Sequence, residues 1–251
     1  MKEEIKGLIL KEQTVGEKDR LVTVLTNDRG VIRCFVRGAK VMTNKRFSAT
    51  QPFCYSRLNL FVKKDSSVID DAERIQFFYK LRYDLEKLAL AQYFCELVIH
   101  VIQPGASSES ALNLLLNCLH ILTESSKPPE LIKSVFELRL MAINGFIPNI
   151  LFCSGCGCYE DERMFFSPSQ GSLTCSSCVK REEEAPPDLI GMSPGALTAF
   201  RYIEVAEDKK IFSFKASQQS LSEVASCAQK YVLSVCHRDF SSLKFYQSIK
   251  T

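Results

Sequence analysis

The stretch KGLILKEQTVGEKDRLVTVLTNDRGVIRCFVRGAK, residues 6–40, decides the fold. Three β-favouring runs lie in or across it: Ile5 to Glu12, Arg20 to Thr26 and Val31 to Arg37. Thr14-Val15-Gly16-Glu17 separates the first two, and Asn27-Asp28-Arg29-Gly30 reads as a hairpin connection. Working outward, Phe53 to Val62 and Val68 to Glu73 add two more runs, joined by the turn signal Lys64-Asp65-Ser66-Ser67. The gap from Gly38 to Pro52 is longer and polar. Five short strands in about 75 residues suit a small closed barrel, and the five-stranded oligonucleotide-binding (OB) design is the common one with nucleic-acid ligands. An SH3-like barrel is the other solution to the same pattern.

From Ile75 onward the apolar period turns helical. Asp84 to Gln103 carries the broad apolar stripe of a core helix and stops at Pro104-Gly105. Ser108 to Thr123 and Glu130 to Asn144 follow, the latter halted by Gly145 and Pro148. Ser193-Pro194 combines an N-cap with proline at the first helical position, and a long helix spans Ser217 to Cys236. With 251 residues and 46% apolar content the chain is long enough for two domains. They are expected at 1–78, an OB barrel, and 79–251, a helical domain with an inserted cysteine motif at 152–180. The fold class is therefore α+β, multidomain.

Cys153-Ser-Gly-Cys156 and Cys175-Ser-Ser-Cys178 form two C-x2-C pairs 18 residues apart, the spacing of a four-thiolate zinc site. Two intervening residues let both sulfurs of a pair face one ion, and Gly155 and Gly157 permit the tight turn. Between the pairs, MFFSPSQGSLT reads as a two-strand ribbon with Ser169-Gln170-Gly171 near its tip. Four thiolates close the coordination sphere, so the expected Zn2+ is structural, one per chain. Cys158 competes with Cys156 as a ligand, and the knuckle spacing favours Cys156. A thioredoxin-like site would need its CxxC in a βαβ unit, and none is visible.

Charge is uneven along the chain. Residues 1–80 hold 16 Lys/Arg against 10 Asp/Glu, whereas residues 81–251 hold 16 against 19. Arg29 to Lys64 contains nine basic residues and no acid. Bases without interleaved acids on a barrel are the footprint expected for a phosphate backbone. Strand alternation puts Arg33, Phe35 and Arg37 on one face, and Phe47, Phe53 and Tyr55 extend the aromatic set. Phe35 and Phe53 are also natural barrel-core residues. His100, His120 and His237 sit in helical runs without a catalytic neighbourhood, so no enzyme is expected. No stretch approaches the length of a membrane helix, the N-terminus lacks a signal peptide, and thiols rather than disulfides fit a cytoplasmic protein.

Gly7, Gly16-Glu17, Leu25-Thr26 with Gly30, Arg37-Gly38-Ala39-Lys40 and Gln51-Pro52-Phe53 together resemble the N-terminal barrel of the bacterial recombination-mediator family RecO. FELRLMAINGFIPNILFCSGCG, residues 136–157, is similar to that family's core helix leading into its zinc-binding cysteines. The resemblance implies binding of single- and double-stranded DNA and annealing of complementary strands. It also implies partnership with RecR in loading the RecA recombinase onto DNA coated by single-strand-binding protein (SSB). Carried over by position, the DNA face falls on Arg33, Arg37, Lys40, Lys45 and Arg46, with Arg20 flanking. The alternative reading of the basic barrel is an RNA-binding or ribosome-associated module, with no small-molecule substrate in either case.

Overall fold

A computed structural model describes residues 2–17, 19–38, 45–63, 66–181 and 186–250. The chain divides into two compact units, Met1–Ser125 with Phe240–Thr251, and Ser126–Asp239. The first unit opens with β1 (Lys2–Val15), β2 (Asp19–Thr26) and β3 (Val31–Val36), then the short helix α1 (Lys45–Ala49), β4 (Cys54–Lys63) and β5 (Ser66–Phe77). The strands close in the order β1-β2-β3-β5-β4, with β3 and β5 parallel and the other pairs antiparallel. This is the expected OB barrel. The turn signal at 64–67 is shorter than expected: Lys64 and Asp65 lie outside the described residues, and Ser66 and Ser67 already belong to β5.

Alternation sorts the side chains. Ile5, Ile9, Val22, Val24, Cys34, Val36, Leu58 and Leu60 fill the interior. Leu8, Leu10 and Leu25 are equally buried but lie outside that cluster. Their cover comes from α2 (Leu85–Val101), which packs on β1, and α3 (Glu109–Glu124), which packs on β2. This is why the first unit extends past the change of period at 78–79. A 3-10 turn, Tyr79–Tyr83, links β5 to α2, and Asp84 caps α2 through its carboxylate and the Lys87 N–H at 3.1 Å.

The β2–β3 hairpin is stitched to the α2–α3 connection. Gly105 N–H donates to the Arg29 carbonyl at 2.8 Å, and Ser108 donates from its N–H to Asn27 O and from Oγ to Thr26 O. Gly30 sits at φ +62°, and a Cβ there would overlap the Gln103 carbonyl. The hairpin glycine is thus required twice over.

The second unit contains α4 (Pro129–Ile143), β6 (Asn149–Cys153), β7 (Met164–Ser167), β8 (Ser172–Cys175), the one-turn α5 (Ser176–Val179), β9 (Ile190–Met192), α6 (Pro194–Val205) and α7 (Gln218–Cys236). A last helix, α8 (Ser241–Ile249), belongs to the first unit and packs on α2. The ribbon read from the sequence is β7–β8, and β6 and β9 widen it to the order β6-β8-β7-β9. Among the described residues no helix is long and apolar enough to cross a membrane.

Candidate nucleic-acid interface and metal centre

The outer face of β1–β2–β3 is built by register. Thr23 lies opposite Arg33 on one side and Lys11 on the other, and Leu21 lies opposite Phe35 and Gln13. Directly opposed residues share a face, so Lys11 and Arg33 flank Thr23 in one row while Phe35 and Leu21 occupy the next. Arg33 and Arg37 are exposed, Phe35 is half-buried between them, and Cys34 and Val36 alternate into the core. Phe53 is core, with 5% exposure. Lys11 was not among the expected contacts. A bulge between Ile9 and Lys11 shifts the phase of β1, so counting alternate residues from Ile9 would aim Lys11 inward. Cross-strand register finds it where periodicity does not.

The acid-free window is partly neutralised in space. Arg29 pairs with Glu3, and Arg57 with Glu4 at 3.4 Å and Glu73 at 3.0 Å, all acids from strands flanking the window. Arg33 and Arg37 make no ion pair among the described residues. Arg46 is half-buried and its Nη1 donates to the Asp70 carbonyl at 3.4 Å. Lys45 opens α1 but its side chain, like all of Lys40, lies outside the described residues.

Arg20 takes a different place from the flanking position expected. It alternates with Val22 and Val24, so it points to the barrel interior at the end that α1 caps. Its guanidinium pairs with Glu12, donates to Thr50 Oγ1 at 2.5 Å and to the Phe47 carbonyl at 3.2 Å, and lies 4.7 Å from the Phe47 ring centre. Only 5% of the residue is exposed. The same alternation that identified Arg33 as outward places Arg20 inward.

In the second unit Cys153, Cys156, Cys175 and Cys178 bring their sulfurs within 4.8 Å of one another, a group that could hold a metal ion. The Cys156–Cys175 sulfur distance is 3.7 Å, close to the edge of about 3.8 Å for a tetrahedron with 2.3 Å metal–sulfur bonds. A Cβ on Gly155 would stand 3.0 Å from the Cys178 sulfur, so glycine gives the knuckle room that a side chain would crowd. Burial raises the Cys153 thiol, yet N–H groups of Cys156, Cys175 and Gly155 aimed at its sulfur outweigh burial and bring it down to about 6. Cys158 neighbours Cys156 and Cys175 but falls outside the group of four.

Arg201 of α6 holds this module from beneath. It is 7% exposed and donates to the carbonyls of Ile150, Leu151 and Tyr159 at 2.9, 2.8 and 2.6 Å. Its guanidinium also stacks 3.9 Å from the Tyr159 ring centre. Both ends of the first knuckle are therefore tied to one helix. A lone arginine in a helical pattern gives no sequence signal of this role.

A closed OB barrel with a basic outer strand, joined to a helical unit bearing a four-cysteine cluster, defines the class: an OB-barrel protein with a cysteine-knuckle module. Residues 1–78 match the family model "Recombination protein O N terminal" and residues 82–243 match "Recombination protein O C terminal". The chain belongs to the recombination protein O (RecO) family, whose members act in DNA repair and recombination. It is 30% identical to DNA repair protein RecO of Acetivibrio thermocellus over 243 residues, 97% of this chain and 95% of the relative. The RecO protein of Symbiobacterium thermophilum is 27% identical over 98% of this chain and 97% of its own length. That of Desulforudis audaxviator reaches 36% over 72% of each.

Proposed function

We propose that this protein is a non-enzymatic recombination mediator that binds single- and double-stranded DNA on the outer face of β2 and β3 and anneals complementary strands. The observation that carries the reading is the pair Arg33, on β3, and Arg37, in the turn just after it, both exposed around half-buried Phe35 in a stretch without acids. Lys11 extends the row across the sheet, and Arg46, Lys45 and Lys40 follow β3 in the chain. Annealing needs no bond chemistry. Two strands repel, and a basic surface that displaces their counterions lowers that barrier while leaving base edges free to pair.

Family membership supports the wider role, in which RecR and SSB are partners and RecA is loaded onto SSB-coated DNA. Cys153, Cys156, Cys175 and Cys178 would hold one Zn2+, whose part would be structural, fixing the two knuckles. Domain limits at 1–78 and 79–251 describe the evolutionary pieces of this arrangement. The test is competition between single-stranded DNA and RNA of one sequence for the protein. Preference for DNA, or parity, agrees with this reading; strong preference for RNA favours a ribosome-associated module instead.

A further inference from the structure

We infer that the segment Phe77–Tyr83 is a second, separate single-strand site, a stacking platform that takes unpaired bases; this rests on the DNA-binding reading above. The 3-10 turn buries Phe78 and Leu81 and turns Tyr79, Lys80, Arg82 and Tyr83 outward. Tyr79 is 49% and Tyr83 82% exposed. Phe77, packed against the barrel core, is tilted 51° to Tyr79 with 6.4 Å between centres, and Tyr79 meets Tyr83 edge-on at 87° and 6.3 Å, so the exposed ring faces are those of the two tyrosines. The Arg82 guanidinium lies 5.0 Å from the Phe77 ring centre and is held there by a hydrogen bond to Gln51 Oε1 at 3.0 Å.

The platform is held rigid by a strained residue. Phe53, a bulky side chain, sits at φ +65° with its N–H on the Ile9 carbonyl and its own carbonyl accepting from Phe78 N–H at 3.2 Å. That conformation costs free energy and fixes where β5 ends and the turn begins. Exposed aromatic rings interleaved with arginine are the chemistry of sequence-tolerant strand binding, where each base offers a face and each phosphate a charge. Lys80 is occupied by Glu124 at 2.6 Å, so Arg82 supplies the positive charge beside the rings. A protein partner is the other class of occupant; the alternation of rings with cations favours a nucleic-acid strand over it.

Val68 of β5 lies opposite Phe35, and nine residues further along the same strand β5 ends at Phe77. At strand rise that separation is at most about 30 Å. One unit therefore offers two sites, the arginine face for single- or double-stranded DNA and the rings for unpaired bases.

The experiment compares a fluorescein-labelled thirty-nucleotide dT strand with a duplex of equal length, by anisotropy, on the full chain. Tyr79→Ala with Tyr83→Ala should weaken single-strand binding about tenfold, leave duplex affinity and salt slope unchanged, and leave a cooperative unfolding transition lowered by only a few degrees, because Tyr83 is exposed and Tyr79 half-exposed. Tyr83→Phe should bind as the parent does. Ultraviolet cross-linking of a 5-iododeoxyuridine strand should map to Tyr79 or Tyr83. Parent-like single-strand binding by the double variant, equal loss on both substrates, or cross-links elsewhere only would overturn the platform. Arg33→Ala with Arg37→Ala serves as the reference. If it weakens both substrates while the tyrosine variant does nothing, the platform alone fails; if it weakens neither, the interface reading fails as well.

Discussion

Replacing Arg20 separates a basic residue that holds the barrel from one that touches DNA. Arg20→Ala removes charge-assisted bonds to Thr50 and to the Phe47 carbonyl, the Glu12 pair and the stacking on Phe47. Hydrogen bonds to charged groups contribute about 1.5 to 3 kcal/mol each. Offsetting effects reduce the sum. Glu12 is 38% exposed and can rehydrate, Thr50 keeps its own bond to the Arg46 carbonyl at 2.6 Å, and the Arg20 Nε already lacks a partner among the described residues. The net cost comes to about 3 to 4 kcal/mol. For a chain of this size that is a fall in melting temperature of about 10 °C. Arg20→Met keeps the packed stem and should cost about half as much. Thermal unfolding by circular dichroism measures both, and DNA titrations at several salt concentrations are run beside them. The salt slope should not change in either variant. A melting temperature within about 2 °C of the parent, together with a slope flattened by about 0.9, would make Arg20 a phosphate contact and refute the burial argument.

Lys11→Ala with Arg33→Ala and Arg37→Ala should flatten the duplex salt slope by about 2.7, at 0.9 per phosphate contact, without loss of thermal stability; titration from 50 to 200 mM salt reads it. Metal analysis of the purified chain should find about one zinc per molecule, and Arg201→Leu, which keeps all four cysteines, should speed metal loss to a chelator because both ends of the first knuckle are released. Burial pushes the Glu204 carboxyl up to about 7, partly opposed by Arg139. A carboxyl raised in the fold stabilises it below the unfolded value of about 4.5 and loses that advantage as pH climbs toward 7. Glu204→Gln should therefore gain about 2 to 3 kcal/mol at pH 8 and nothing at pH 4, read by denaturant unfolding at the two pH values. Gly30→Ala, at φ +62° and against the Gln103 carbonyl, should cost at least about 2 kcal/mol in the same assay.

Alternating valine, isoleucine and threonine, punctuated by glycine turns, made all five barrel strands legible, because a half-buried strand must alternate. The cysteine spacing was legible for a similar reason, since two residues between sulfurs is what one ion imposes. Lys11 was hidden by a bulge, and a bulge leaves no periodic trace. Arg20 entered the expected face as a flanking residue by position in the family pattern, which does not sort residues by the side of the strand they occupy, and alternation with Val22 and Val24 turns it inward. The neutralisation of Arg29 and Arg57 by Glu3, Glu4 and Glu73 depends on strand pairing between residues far apart in the chain, which composition does not encode. Strands β6 and β9 are short and gain their definition from β8 and β7, so local propensity alone does not announce them.

The central claim is that the outer face of β1–β3 brings two DNA strands together. Its most direct measurement is the annealing rate of complementary oligonucleotides, without ATP or added metal, in the presence of the parent chain and of the Lys11, Arg33 and Arg37 triple alanine variant. The parent should anneal them faster than the protein-free control, and the variant should fall back to the control rate while keeping its melting temperature. A parent rate equal to the control, or a folded variant that anneals as fast as the parent, would contradict the account.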